Sequence, residues 1–297
     1  MNPEKEKWVL LLVLTLIWGS SFILIKKSLL YYHPIEVGAL RVFIASLMLL
    51  PYAILNIRKI PKKHFIWIFL SGITGNFIPM FLFPMAETKI SSSIAGIINS
   101  MVPIFIIVLT LLFWKKDTTK NQIIGIIISF VGVCILTLGK GESGDLKLIP
   151  ILLLLLATLL YAINSLMVKK KLANLQPKLL SAYVFGFALF FPSLITLLFS
   201  GFFRDFQFSH DQLVGLGFVS MLAGFGTGFA MMLNYRLLHV SSAIFASTVT
   251  LLMPIVAVFW GLLDGEKITL MQSFGGVIIF LGLLFLRKSP KMVEKRN

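Results

Sequence analysis

Stretches of roughly 18 to 23 residues with almost no charge follow one another along the whole chain. A helix needs about 20 apolar residues to cross the hydrocarbon core of a bilayer. In lipid every backbone N–H and C=O must be satisfied within the spanning structure, which leaves helices or closed barrels. The runs here are continuous rather than alternating and too long for barrel strands. They predict an all-α membrane protein with ten transmembrane helices, over 8–25, 35–57, 65–85, 92–114, 122–139, 148–168, 179–200, 212–235, 242–263 and 271–286. Composition agrees: 58% of the 297 residues are apolar and 13% charged, where a soluble domain is about half apolar and a quarter charged. The first run follows Lys5 and Lys7 as a secretory signal would, but it ends at Lys26 and Lys27 without a small-residue cleavage site. It reads as an uncleaved first span.

Charge sets the expected orientation, because basic loops stay on the cytoplasmic side. With both termini inside, the terminal segments and even-numbered loops hold 19 Lys and Arg against four acids. The odd-numbered loops hold seven against eight, and Arg41 lies within a span. The formal net charge of +15 is therefore nearly all inner-face bias, and no nucleic-acid partner is needed to explain it. The lone Cys134 allows no disulfide framework and reads as a packing residue in a helix. His33, His64, His210 and His239 are dispersed without ligand spacing, so neither a metal nor a cofactor is expected.

An internal duplication organises the chain. A shift of 143 residues pairs Thr15 with Thr158, Trp18 with Tyr161, Ser21 with Asn164, Lys26 with Lys169 and Pro34 with Pro177. Beyond the second span a shift of 151 pairs Gly75 with Gly226, Asn76 with Thr227, Asn99 with Thr250 and Pro103 with Pro254. The change of eight falls where the second half has the longer loop, at 201–211. The expected organisation is a repeat over 1–139, a second over 148–288 and a basic cytoplasmic tail at 289–297. Five spans per repeat is an odd number, so the copies must be inverted. That plan recurs in secondary transporters, whose substrate site lies near midplane between the repeats.

The segments WGSSF at 18–22 with Lys26, HPIEVGALR at 33–41, AETKISSSIAGIINSMVP at 86–103 and QIIGIIISFVGV at 122–133 carry a likeness. So do LLHVSSAIFASTVTLLMP at 237–254 and QSFGGVIIFLG at 272–282. In order, spacing and duplication the chain resembles the drug/metabolite transporter superfamily, EamA type. The resemblance implies two inverted five-helix units in a bacterial plasma (inner) membrane and transport of amino acids, related metabolites or toxic compounds, most often outward. Arg41 and Glu36 align with Val184 and Leu179 in the second half, so any role for those charges is asymmetric.

Polar groups deep in a span should face protein or a water-filled cavity. The expected substrate-binding set is Trp18, Ser21, Arg41, Asn76, Asn99, Tyr161, Asn164, Thr227 and Thr250. Helix packing and interhelical hydrogen bonds explain the same residue types equally well, and Arg41 can instead snorkel or pair with Glu36 or Glu87. Gly75, Gly226, Pro103 and Pro254 are candidate hinges or static kinks. Lys26 and Lys169 are candidate gates or helix-end anchors. The leading expectation is a secondary carrier of a small molecule, working by alternating access within the lipid bilayer. A receptor or scaffold and a membrane enzyme with a hydrophobic substrate are the alternatives, the enzyme weakened by the lack of clustered His, Asp, Glu or Cys. Oligomeric state and coupling ion are left open by the sequence.

Overall fold

The computed structural model describes residues 3–59, 62–114, 120–138 and 148–287, and every regular element among them is helical. In chain order the long helices are α1 (Pro3–Ser28), α2 (Pro34–Leu55), α3 (Lys62–Glu87), α4 (Ser92–Phe113) and α5 (Lys120–Leu138). They continue with α6 (Leu148–Lys171), α7 (Pro177–Phe199), α8 (His210–Val240), α9 (Ala243–Leu263) and α10 (Leu270–Arg287). Among the described residues, α1 to α4 and α6 to α9, eight helices, are long and apolar enough to cross a membrane. The expected basic tail at 289–297 and the loop signals at 115–119 and 139–147 lie outside the described residues.

Local chemistry sets the helix starts. Pro34 opens α2, where a missing N–H costs nothing, and Glu36 Oε2 accepts from the His33 backbone N–H at 2.9 Å. Ser91, Ser209 and Ser242 cap α4, α8 and α9 with their hydroxyls. Large apolar side chains such as Leu16, Phe191, Phe199 and Phe259 point outward, as a bilayer rather than water requires.

In the packing, α1 lies against α8 and α9, α6 against α3 and α4, and α2 against α7. The helices α5 and α10 form a pair of their own. There Gly132 meets the backbone of Gly275 and Ile279, and Gly282 meets that of Gly125 and Ser129. Small residues let helix backbones approach closely where lipid supplies no hydrophobic drive. Cys134 is exposed on α5, not the packing residue its apolar surroundings suggest.

Five spans are less regular than apolar periodicity predicts. Wider π turns interrupt α3 at Ile73–Phe77, α7 at Val184–Leu189 and α8 at Gly224–Phe229. The α3 and α8 turns hold the repeat-related pairs Gly75/Gly226 and Asn76/Thr227. In each, the polar side chain returns to the carbonyl five residues back, Asn76 Nδ2 to Ser71 O at 3.4 Å and Thr227 Oγ1 to Leu222 O at 3.1 Å. The other breaks are in α4, at Ser100 and Met101, and in α9, at Thr248. Pro103 lies just beyond its break at a first-turn position, whereas Pro254 sits inside a continuous segment. The break in α9 is thus not at its proline.

Candidate substrate cavity and its closed end

A cavity lies among α1, α2, α3, α4, α6, α8 and α9, lined by side chains of all seven. Aromatic and thioether groups from Trp18, Phe22, Met80, Phe83, Tyr161 and Met253 form much of its wall. Its polar lining is made by Ser21, Arg41, Asn76, Asn99, Asn164, Ser165, Asn234, Ser247 and Thr250.

Arg41 is the cation of this lining. It is buried, and its Nε donates to Thr227 Oγ1 at 2.7 Å. Among the described residues no carboxylate is in ion-pair contact with it, so it neither snorkels nor pairs with Glu36 or Glu87. A guanidinium carries five N–H donors in a planar fork suited to a carboxylate. Two further polar groups are incomplete: Asn76 Oδ1 and Asn99 Oδ1 are buried without hydrogen-bond partners among the described residues. Among the described residues Asn99 Nδ2 finds Met253 Sδ, at 3.6 Å. An incomplete set of donors and acceptors around a cavity is what a polar solute can complete.

The remaining polar groups hold the walls in place. Trp18 Nε1 donates to Gly226 O at 3.0 Å. Ser71 Oγ donates to Asn164 Oδ1 at 2.7 Å and lies 3.3 Å from Tyr235 OH. The glycines of the two π turns have matching environments: a methyl on Gly75 would fall on the Asn164 amide, and one on Gly226 would lie 2.7 Å from Ser21 Oγ. Gly75→Ala is expected to cost about 1–3 kcal/mol through overpacking, read as a lowered melting temperature in detergent. Gly217→Ala, with open space at its Cβ, should leave that temperature unchanged.

Beyond Ile25 of the cavity wall, charges tie three elements together. Lys26 Nζ, at the end of α1, lies 2.8 Å from Asp264 Oδ2 and 3.0 Å from Glu266 Oε1. Lys27 also pairs with Asp264. Glu266 Oε1 accepts from Ser92 N at 3.0 Å and Ser92 Oγ at 2.7 Å, and Oε2 from Ser93 N at 3.1 Å and Ser93 Oγ at 2.6 Å. The carboxylate thus joins α1, the start of α4 and the segment after α9. At the repeat-related position Lys169 Nζ donates to Leu238 O at 2.8 Å and Ser241 O at 2.6 Å, closing the C-terminus of α8.

Burial alone would raise the Glu266 carboxyl, but hydrogen bonds from Ser93, Ser92 and Lys26 outweigh it and hold it below its ordinary value. Asp264 is likewise lowered, with burial outweighed by Lys26 and Lys27. A lowered carboxyl stabilises the closed end above its ordinary value and loses that contribution only as pH falls through the depressed one. The contribution of these two acids should therefore be constant from about pH 5 to 8 and fade below about pH 4. Loss of protection of the 264–269 segment from proteolysis on acidification below about pH 4 is the measurement that checks it.

Of the residues picked from the sequence, Trp18, Ser21, Arg41, Gly75, Asn76, Asn99, Tyr161, Asn164, Gly226 and Thr250 line the cavity. Thr227 stands behind Arg41. Lys26 and Lys169 sit beyond it, and Pro103 and Pro254 are outside its lining. Sequence reasoning missed Asn234 and Ser165, and it missed Glu266, Ser92 and Ser93 as partners of Lys26. The only signal for the last three was the pairing of a loop acid with a basic helix end.

Comparison with known proteins follows the same lines. The model of the EamA-like transporter family matches residues 7–138 and again 148–288. The chain is 28% identical over 281 residues to an uncharacterized transporter of Archaeoglobus fulgidus, covering 94% of this chain and 97% of the relative. It is 26% identical to the uncharacterized inner membrane transporter YedA of Escherichia coli K12, covering 92% and 88%. Identity is 24% to a probable amino-acid metabolite efflux pump of Salmonella typhimurium, over 94% of each. A crystal structure with 12% identity superposes with a TM-score of 0.62 over 95% of this chain and 97% of the other, a likeness of fold. With two matches that together span nearly all of its length, this multi-pass membrane protein belongs to the EamA-like transporter family.

Proposed function

We propose that the protein is a secondary transporter that carries small amphipathic metabolites bearing a carboxylate, amino acids and related compounds among them, outward across a bacterial plasma membrane. The observation that carries this reading is Arg41, a buried cation without a carboxylate partner among the described residues, on the wall of the cavity between the helices of both repeats. The orphaned oxygens of Asn76 and Asn99 suit an ammonium or another donor, and the aromatic wall suits an apolar side chain. The relative named as an amino-acid metabolite efflux pump and the inner-membrane relative agree with cargo class, direction and location.

Alternating access follows from the architecture we assign: ten spans as two inverted five-helix repeats, 1–139 and 148–288, with both termini and the 289–297 tail cytoplasmic. The doubled family match supports it. So does the exchange symmetry of the packing, in which α1 meets α8 and α9 as α6 meets α3 and α4. In this arrangement Trp18, Ser21, Asn76, Asn99, Tyr161, Asn164, Thr227 and Thr250 bind or frame the solute. The π turns at Gly75 and Gly226 and the breaks before Pro103 and ahead of Pro254 supply bending points, and Lys26 and Lys169 mark the two gates. Purified protein in lipid vesicles, screened with labelled amino acids and other carboxylates, should show saturable flux and counterflow. Lack of flux for the whole panel would overturn the reading.

A further inference from the structure

Two carboxylates occupy the Lys26 end, in opposite circumstances. Glu266 has four hydrogen bonds from Ser92 and Ser93 in addition to Lys26. Glu87, the last residue of α3, is buried, and neither of its carboxylate oxygens has a hydrogen-bond partner among the described residues. Removing an ionised carboxylate from water without a partner costs several kcal/mol, and such a group is held neutral instead. The charged groups that act on Glu87 are Lys26 on α1, Arg41 on α2 and Glu266 after α9, and Lys26 in turn holds Asp264. Lys26 is the one of these cations already shared between acids.

Glu87 also connects the closed end to the cavity. Met80 and Phe83 precede it by seven and four residues on one face of α3, and both line the cavity. Any separation of α1 from the 264–266 segment takes Lys26 out of its contacts with Asp264 and Glu266. The nearby carboxyl of Glu87 is then available to receive it.

We propose that Glu87 is the proton-binding site of this transporter, and that Lys26 passes from Glu266 to Glu87 when this end opens. With the end closed, Glu87 is a neutral acid and Lys26 belongs to Glu266. On opening, the Glu87 O–H bond breaks, its proton goes to water at the exposed end, and the resulting carboxylate pairs with the Lys26 ammonium. Closure reverses the step and takes one proton from that side. This rests on the transport reading for its use, since a proton taken up at each closure and released at each opening of this end makes access to the cavity depend on the pH of that side.

The test requires no solute, so its failure is separate from a failure of the flux screen. Spin labels on Leu30→Cys and Leu270→Cys, both exposed flanking positions, in a Cys134→Ala background report the width of this end by pulsed EPR. In the full chain in lipid nanodiscs, the ratio of open to closed distances should rise with pH between about 5.5 and 8.5, by up to tenfold per pH unit for one proton. Glu87→Gln should hold the closed distance at every pH, and Glu87→Asp should keep the shift. A Glu87→Gln protein that retains the wild-type pH profile, or a wild type with no shift, would overturn the proposal.

Discussion

Arg41→Ala should abolish saturable flux while leaving the protein inserted and as stable as before, or more so. Losing one partner of a desolvated charge pair costs about 2–5 kcal/mol, which is a loss of about thirtyfold or more in affinity. The stability half of the result separates a binding residue from a structural one. Arg41 has a single side-chain partner, Thr227 Oγ1 at 2.7 Å, and no carboxylate in contact among the described residues, so its burial is a cost the fold bears. Truncation relieves that desolvation. Arg41→Lys should fail to restore flux, because an ammonium cannot keep the Thr227 bond and also present a planar pair of donors. Flux per reconstituted protein, together with melting temperature in detergent, checks both parts. Normal flux in Arg41→Ala would remove the carboxylate from the proposed substrate.

Glu266→Ala should unlock the Lys26 end. The substitution removes the acceptor for four donors from Ser92 and Ser93 and for Lys26, and breaking a buried pair by deleting one partner costs about 3–5 kcal/mol. A single cysteine at Ile90, buried at this end, should then react with an impermeant maleimide at least about tenfold faster at fixed pH, given that 1.4 kcal/mol is a factor of ten. Lys26→Ala should act in the same direction. The double variant should fall short of the sum, because the two side chains are in contact. An unchanged labelling rate would mean that the network fastens loops without closing the cavity.

The sequence made the spans readable because lipid imposes a length and a lack of charge on each of them, and it made the cavity residues readable through the repeat. Trp18, Ser21, Asn76, Asn99, Tyr161 and Asn164 stood out as polar or amphipathic groups at matching depths of two copies, and the structure gathers them around one space. The π turns were not readable, since Gly75 and Gly226 fit a regular helix as well as a widened one. The same limit hid the breaks at Ser100 and Thr248, where Asn99, Ser247 and Thr250 fit a continuous helix as well as a broken one. Glu266 could be seen only as a loop acid, because its donors come from α4 and α1, more than 170 residues away. Glu87 looked like an end-of-span charge near water, and its burial comes from the packing of the helices, which its own sequence neighbours do not reveal.

Access to the cavity from each side of the membrane in turn is the most direct test of the account. With Thr250→Cys in a Cys134→Ala background, reconstituted in one orientation, an impermeant thiol reagent should reach the buried cysteine from either face. Disulfide-locking the Lys26 end should block one route and spare the other. A cysteine at Thr250 that reacts from neither face, in a protein that otherwise melts normally, would make the space a packing void and contradict the transport pathway assigned to it.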